Sequence, residues 1–382
     1  MANVMKLSKN HSALRVLIAG AGIGGLTLAQ ALLSQGLKVI VCEKDEAADL
    51  RPQGYRIHIN PEGGQALSAC LPESRFSRFV ATTGKPARKG PAFLNQLLED
   101  RSGQISLMPA IAAPSSPQPH RAVDRLLLRN LLLEGLSVRF GQALMGFGET
   151  ESGQIQVELS DGTVELVDLV VGADGVGSRA REWIYPSAKV ADTGWQGTYG
   201  KSYINAANRE LLEPFVERAF TIVNGPDNVS LFLAGFQSSA EEYLMWVLVL
   251  PPNRHGSPDL LAEARAQLKD WHPNLRSAVD QSDPQTVSKV AFRETVELGP
   301  RTGPRQATLL GDSLHAMLPA GGEGGSNALQ DAAELAGLLS KARDGQITIP
   351  QAIETYETSA IARGTTAIAR SRKLGHSLFG FS

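Results

Sequence analysis

The chain has 382 residues, 42% of them hydrophobic and 20% charged, with 37 Lys and Arg against 39 Asp and Glu. That length suits about two ordinary domains of ~150 residues, and the apolar share excludes disorder as the main state. The balanced charge, without a basic block, excludes a nucleic-acid partner held by counterion release, and two cysteines, Cys42 and Cys70, exclude a disulfide framework or a four-thiolate metal site and suggest a reducing, cytoplasmic compartment.

At the start, Lys6, Lys9 and Arg15 flank the apolar run Val16 to Leu33 (VLIAGAGIGGLTLAQALL), which mimics a signal peptide or a membrane anchor. Four glycines, Thr27 and Gln30 interrupt it, and each glycine would weaken a membrane helix by ~1 kcal/mol relative to alanine. No later stretch supplies the ~20 uncharged apolar residues of a span, so a soluble chain with no membrane partner is expected. Residues 14–19 (LRVLIA) read instead as a strand ending at Gly20. Residues 23–35 follow as a helix with Leu26, Ala29, Leu32 and Leu33 on one side, and residues 37–43 as a second strand after Gly36. Strand, helix and strand in about thirty residues make a βαβ unit, which demands a parallel sheet.

From Arg51 to Leu107 periodicity is weak. The four prolines of Pro109 to Pro119 rule out a helix or central strand there, and a leucine-rich helix is expected from about Val123 to Glu134. Residues 154–173 alternate around Asp161-Gly162, a hairpin signal, and end in the apolar run Leu169 to Val171. Beyond Trp183, the runs Ala219 to Val223, Val229 to Phe236 and Tyr243 to Leu250 have the spacing of an antiparallel sheet. A helix from about Asp259 to Trp271, a short strand Thr308 to Leu310, and a long helix from about Asn327 to Lys341 capped by Ser326 or Asn327 complete the reading. The fold class is α/β: a Rossmann-like domain with a βαβ unit, interleaved with a smaller domain on an antiparallel sheet.

Gly20, Gly22 and Gly25 form a GxGxxG turn between the first strand and helix. The first glycine makes the turn, the second lets backbone approach a pyrophosphate, and the third lets helix pack on strand. The helix N-terminus adds free N–H groups and a positive dipole end. Glu43, 18 residues past Gly25 at the end of the second strand, suits two ribose hydroxyls and would repel a 2′-phosphate. The pattern points to an adenine dinucleotide, NAD or FAD.

Two distant segments narrow the choice. Gly172 to Arg181 reads GADGVGSRAR after the strand Leu169 to Val171, and Gly311 to Ala332 reads GDSLHAMLPAGGEGGSNALQDA after Thr308 to Leu310. With GAGIGG, they resemble the three motifs of the flavin-dependent, p-hydroxybenzoate hydroxylase-like monooxygenases, in the family's order and over nearly the whole chain. Arg125, with Leu128 and Leu132, resembles the family's Arg-x-x-Leu helix. GDSLH in place of the commoner Gly-Asp-Ala-Ala-His, and Ser326 before Asn327 in the glycine loop, are small departures.

The resemblance implies that FAD is the cofactor, with Gly20, Gly22 and Gly25 at its pyrophosphate and Glu43 at the adenosine ribose. Arg125 would reach the ribityl and phosphate region, and Asp174 would tie the domain's backbone together beside the phosphates. Asp312 would bond a ribityl hydroxyl. The Pro319 to Gly325 loop, with Gly322, Gly324 and Gly325, would pass along the isoalloxazine, and Gly54 would lie beside it. Residues 12–84, 109–185 and 291–382 would form the FAD-binding domain, and 85–108 with 186–290 the substrate domain. The implied reaction is a monooxygenation: NADPH or NADH reduces the flavin, O2 adds at C4a, and the hydroperoxide delivers one oxygen atom. The apolar strands favour an aromatic or polyketide-like substrate, leaving hydroxylation, epoxidation and Baeyer–Villiger insertion open.

Plainer roles stand beside these. Asp174 could be a turn residue with Gly175, and His315 suits a structural histidine better than a base. Cys42 and Trp246 read as core, while alternate positions of the Trp246 strand must face the flavin if that sheet covers the site. Arg56 and Tyr199 are polar residues near segments that should border the cavity; each suits a structural role better than a catalytic one, and they stand as the candidates for catalysis. A dehydrogenase or reductase without oxygen transfer, or a protein that holds FAD without turnover, would share the same FAD motifs. A halogenase would need a second tryptophan, which Trp246 to Pro251 (WVLVLP) lacks.

Overall fold

The first strand, Arg15–Ala19, sits at the centre of a five-stranded parallel sheet ordered Ala307–Leu309, Leu169–Gly172, Arg15–Ala19, Lys38–Glu43 and Val138–Phe140. A computed structural model describes residues 14–48, 50, 55–104, 116–252, 254 and 256–381. The strand's aliphatic residues are buried on both faces, as a parallel sheet requires. Gly20 then turns the chain at φ +115°, where a Cβ would lie 2.2 Å from the Ala173 carbonyl oxygen. Helix Ile23–Ser34 follows, and Gly36, at φ +80°, releases the chain into Lys38–Glu43. Helix Gly324–Arg343 packs across Ile23–Ser34 and across Pro61–Cys70, closing one face of the sheet around Leu26, Leu32, Leu329 and Leu335.

The second layer is a six-stranded sheet ordered Ser288–Glu297, Lys189–Tyr203, Glu242–Leu250, Ser230–Gln237, Thr221–Asn224 and Ala92–Asn95. Its pairs are antiparallel except the last, which is parallel. Period-two alternation divides Glu242–Leu250 cleanly. Leu244, Trp246 and Leu248 join a core with Leu275 and Trp271 under the outer helices, and Met245, Val247 and Val249 point to the opposite side. The Trp246 indole is fully buried and donates to Ser282 Oγ at 2.6 Å. A two-stranded ribbon, Arg56–Ile59 with Arg121–Asp124, lies between the layers, and Leu144–Glu149, Ile155–Leu159 and Val164–Val167 form a separate meander with the expected Gly162 turn at φ +82°.

Several boundaries differ from the sequence reading. The leucine-rich helix is Arg125–Leu133, because Val123 and Asp124 belong to the ribbon and Asp124 Oδ1 caps the helix by accepting from Leu126 N and Leu127 N. The single helix expected over 259–271 ends at Gln267, and a second, Pro273–Asp280, begins at its proline. The long helix starts at Gly324, so neither Ser326 nor Asn327 caps it; Ser326 Oγ instead accepts from Asn60 N at 3.1 Å. Strand Ser288–Glu297 crosses the expected boundary at 290/291. The 15-residue strand Lys189–Tyr203 escaped notice because Gly194, Gly197 and Gly200 break its apolar rhythm. Gly200 is needed there: a Cβ would strike the Trp246 ring at 2.4 Å. Among the described residues, no helix is long and apolar enough to cross a membrane.

Candidate active site

The carboxyl ends of the parallel strands and the apolar face of the six-stranded sheet enclose one cleft of about 1130 Å³. Open α/β sheets bind ligands at such strand ends. The volume exceeds what one drug-sized ligand occupies, roughly 300–1,000 Å³, and suits a dinucleotide with a second molecule.

At the glycine turn, the three glycines separate by role. A Cβ on Gly25 would lie 2.3 Å from Gly20 O, so Gly25 and Gly20 are demanded by helix–strand packing. Nothing lies within 4 Å of a Cβ on Gly22, which opens onto the cleft. Glu43 accepts from Ala21 N at 2.8 Å and from Asp45 N at 3.0 Å, so its carboxylate braces the turn as well as bordering the cleft. Two bonds leave further lone-pair sites on the carboxylate. Cys42, behind it, is sealed in the sheet, and burial pushes its thiol up to about 12.

Asp174 Oδ2 accepts from Arg179 N at 2.8 Å and Ala180 N at 3.2 Å, and Oδ1 accepts from Ser178 Oγ at 2.5 Å. It therefore ties down the start of helix Arg179–Ile184 while lining the cleft. Gly175 and Gly177 beside it leave open space where a Cβ would stand.

Asp312 is different. Its carboxylate is exposed on the wall of the cleft, and among the described residues it accepts no hydrogen bond. Desolvation pushes its pKa up, against the pull of the His315 and Arg125 charges. Arg125 heads its helix at the same wall, and Gly322 (φ +62°), Gly324 and Gly325 line the adjoining loop. Gly54 falls outside the described residues.

Behind Asp312 stands a buried ionic cluster that the sequence did not disclose. Asp331 accepts from Gly311 N at 2.9 Å and from Arg363 Nη2 at 2.7 Å, and its Oδ2 is 2.7 Å from His315 Nε2. Burial works against the His315 imidazolium, but Asp331 outweighs it and the pKa is raised. Burial likewise disfavours the Asp331 carboxylate, but His315 and Arg363 hold its pKa low. His315 is accordingly a structural group, packed so closely against Gly364 that a Cβ there would lie 2.6 Å from it. Arg129 was also missed. It is buried one turn after Arg125, donates to Ala21 O at 2.9 Å and bonds Ala48 O, thereby fixing the glycine turn. A second arginine four positions on, amid leucines, was the available signal.

The opposite wall holds Arg56 and Tyr199, both facing the cleft. The Tyr199 ring lies 4.7 Å from that of Tyr55, centroid to centroid, tilted by 32°. Burial raises the Tyr199 pKa above its ordinary value, keeping the phenol protonated. Phe93, Phe220, Phe232, Met245 and Val247 complete an apolar lining.

These residues fit an FAD. Gly22 supplies a bare approach for a pyrophosphate, and Asp312 is an unpartnered carboxylate on the cleft wall able to accept from a ribityl hydroxyl.

A family model described as an FAD binding domain matches residues 13–371. The dual O-methyltransferase/FAD-dependent monooxygenase CTB3 of Cercospora beticola is 29% identical, across 96% of this chain and 46% of its own length. The chain thus spans about half the length of the first curated relatives it matches. The FAD-dependent urate hydroxylase of Klebsiella pneumoniae is 28% identical, with 94% of this chain and 89% of the relative covered. A solved Photorhabdus luminescens structure superposes at a TM-score of 0.82 with 27% identity, covering 97% of this chain and all of the other. The chain belongs to the FAD binding domain family, the p-hydroxybenzoate hydroxylase-like flavoproteins that its three motifs resemble.

Proposed function

We propose that the protein is an FAD-dependent monooxygenase that inserts one oxygen atom from O2 into an aromatic or polycyclic organic substrate, using NADPH or NADH as transient electron donor. The observation that carries this reading is the single cleft in which a dinucleotide cradle and an apolar, aromatic-lined wall face each other. FAD, when bound, would supply the redox and oxygen chemistry. The chain would bind, orient and dry the reactants. Residues 12–84, 109–185 and 291–382 would hold the cofactor, and 85–108 with 186–290 would present the substrate wall.

In this reading Gly20, Gly22 and Gly25 shape the pyrophosphate site, and Glu43 bonds the adenosine ribose while bracing the turn. Arg125 and Asp312 meet the ribityl and phosphate region, with Asp174 holding the neighbouring backbone. Gly322, Gly324 and Gly325 give a flat ring close access to backbone. The N-terminus of helix Gly324–Arg343 would favour negative charge on it by ~0.3–2 kcal/mol. The apolar face of the six-stranded sheet excludes water from the reacting atoms. Relatives named as hydroxylases of urate and of phenazine 1,6-dicarboxylic acid support an aromatic substrate.

The test is a screen of NADPH and NADH consumption over aromatic and polyketide-like compounds, with product mass measured under labelled O2. Substrate-stimulated consumption with one labelled oxygen per product is expected. Consumption that never labels a product would favour a dehydrogenase or reductase, and flavin-loaded protein with no stimulated consumption would favour a non-catalytic binder.

A further inference from the structure

We infer that the segment 378–381, folded back on the helix Ile349–Phe379 at Gly380, is the end wall of the substrate chamber, and that the Phe381 ring sets the greatest length of molecule the chamber admits. This rests on the oxygenase reading only in taking the apolar end of the cleft as the substrate chamber.

The first observation is a row of rings that reaches this segment. The Tyr55 and Tyr199 rings lie 4.7 Å apart, centroid to centroid. Tyr199 and Phe292 then meet over bare backbone, where a Cβ on Gly197 would lie 2.9 Å from the first ring and 2.8 Å from the second. Phe292 is 5.7 Å from Phe381, which in turn is 5.4 Å from Phe379 and 4.8 Å from Trp195. Phe292, Phe379 and Phe381 line the cleft, as do Leu374 and Leu378, whereas Trp195 is buried outside the cleft lining. The row passes from chamber surface to solid core at Phe381.

The second observation is how the ring is brought there. Gly380 takes φ +74°, the left-handed conformation that ends a helix and that other side chains rarely adopt. Gly375 leaves the space for the returning ring, since a Cβ on it would lie 2.3 Å from Phe381. His376 Nδ1 donates to Phe381 O at 3.0 Å, and Phe381 N to Gly375 O at 3.2 Å, so the fold-back is pinned to its own helix. From the six-stranded sheet, Asn224 Nδ2 donates to Leu378 O at 2.8 Å. Two glycines and two polar side chains thus converge on the placement of one aromatic ring.

The third observation is that this wall is separable from the others. Val247 and Val249 stand on a strand hydrogen-bonded along both edges, while Gly380 and Phe381 belong to no strand. A change of side-chain size at Phe381 therefore alters the depth of the chamber and leaves the sheet's hydrogen bonds in place. Each methylene of a ligand gains from burial while room lasts, and the first that meets the ring overpacks a dense interior.

The experiment uses the FAD-loaded protein and a ladder of probes, the unbranched 4-alkylphenols from 4-methylphenol to 4-nonylphenol, with binding read from the visible spectrum of the bound flavin. Affinity is expected to climb roughly fourfold per methylene and then to fall at one chain length. Phe381→Ala should move that break to chains longer by roughly two or more methylenes, and Phe381→Leu by a smaller step in the same direction. An affinity that climbs to nonylphenol without a break, a break at the same length in Phe381→Ala, or binding of no probe would overturn the assignment. Should Phe381→Ala not fold, an unmoved break in Phe381→Leu would overturn it equally. A break that moves in a protein that never transfers labelled oxygen would sink the oxygenase reading and leave this one standing; oxygen transfer with an unmoved break would do the reverse.

Discussion

At the parallel-sheet end of the cleft, the surfaces offered to a ligand are largely backbone: the turn at Gly22, the bare positions Gly175 and Gly177, and the loop Gly322 to Gly325, with Asp312 as the one unengaged carboxylate. At the other end the surfaces are side chains: Tyr55, Arg56, Tyr199, Phe220 and Met245. Backbone sites must be held in shape from behind, and here Glu43, Arg129, Asp174 and Asp331 do so through hydrogen bonds to main-chain groups. Side-chain sites need only a rigid strand beneath them. Substitution should therefore damage the fold at the first end and selectivity at the second.

The largest effect is expected at Asp331. Asp331→Asn leaves His315 and Arg363 without their shared acid and should cost about 3–5 kcal/mol in denaturant unfolding. The native contribution is present above the ordinary carboxyl value of 3.8 and lost as pH falls through the lowered folded value. An unfolding free energy unchanged from wild type would break the contrast between the two ends.

Next come two glycines of one motif. Gly25→Val should destabilise the flavin-free protein by about 1–3 kcal/mol or more, since its side chain meets Gly20 O. Gly22→Val should leave flavin-free stability nearly unchanged and abolish flavin retention. Equal thermal stability of the two apoproteins would show that packing does not distinguish them.

The smallest effect sharpens the picture most. Asp312→Asn exchanges a charged acceptor for a neutral one and should weaken FAD binding by about 1 kcal/mol, measured by flavin titration.

The same contrast explains what was legible in the chain. GAGIGG, GADG and GDS are contiguous because a turn and the strand before it place several ligand-facing groups within a few residues, so Gly22, Asp174 and Asp312 could be picked out and all line the cleft. The Asp331–His315–Arg363 cluster joins three separate helices and leaves no local trace. Arg56 and Tyr199 stand on strands of different sheets, 143 positions apart, so nothing in either segment announces the other. Lys189–Tyr203 was hidden because its glycines answer to Trp246 across the sheet, a demand that only packing reveals.

Helix Ile349–Phe379 runs for 31 residues, roughly 46 Å at 1.5 Å per residue. Near its start Tyr356 bonds Leu309 O and Glu357 takes Thr308 Oγ1, on the parallel sheet. At its far end Asn224 Nδ2 holds Leu378 O, and Gly380, at φ +74°, folds Phe381 back against Trp195 and Phe292. One rod is thus bolted to both layers, and it behaves as a tie-bar. Breathing of the chamber must flex the rod or unseat the Phe381 bolt, so passage of small molecules should be governed as much by this distant fastening as by the mouth they enter.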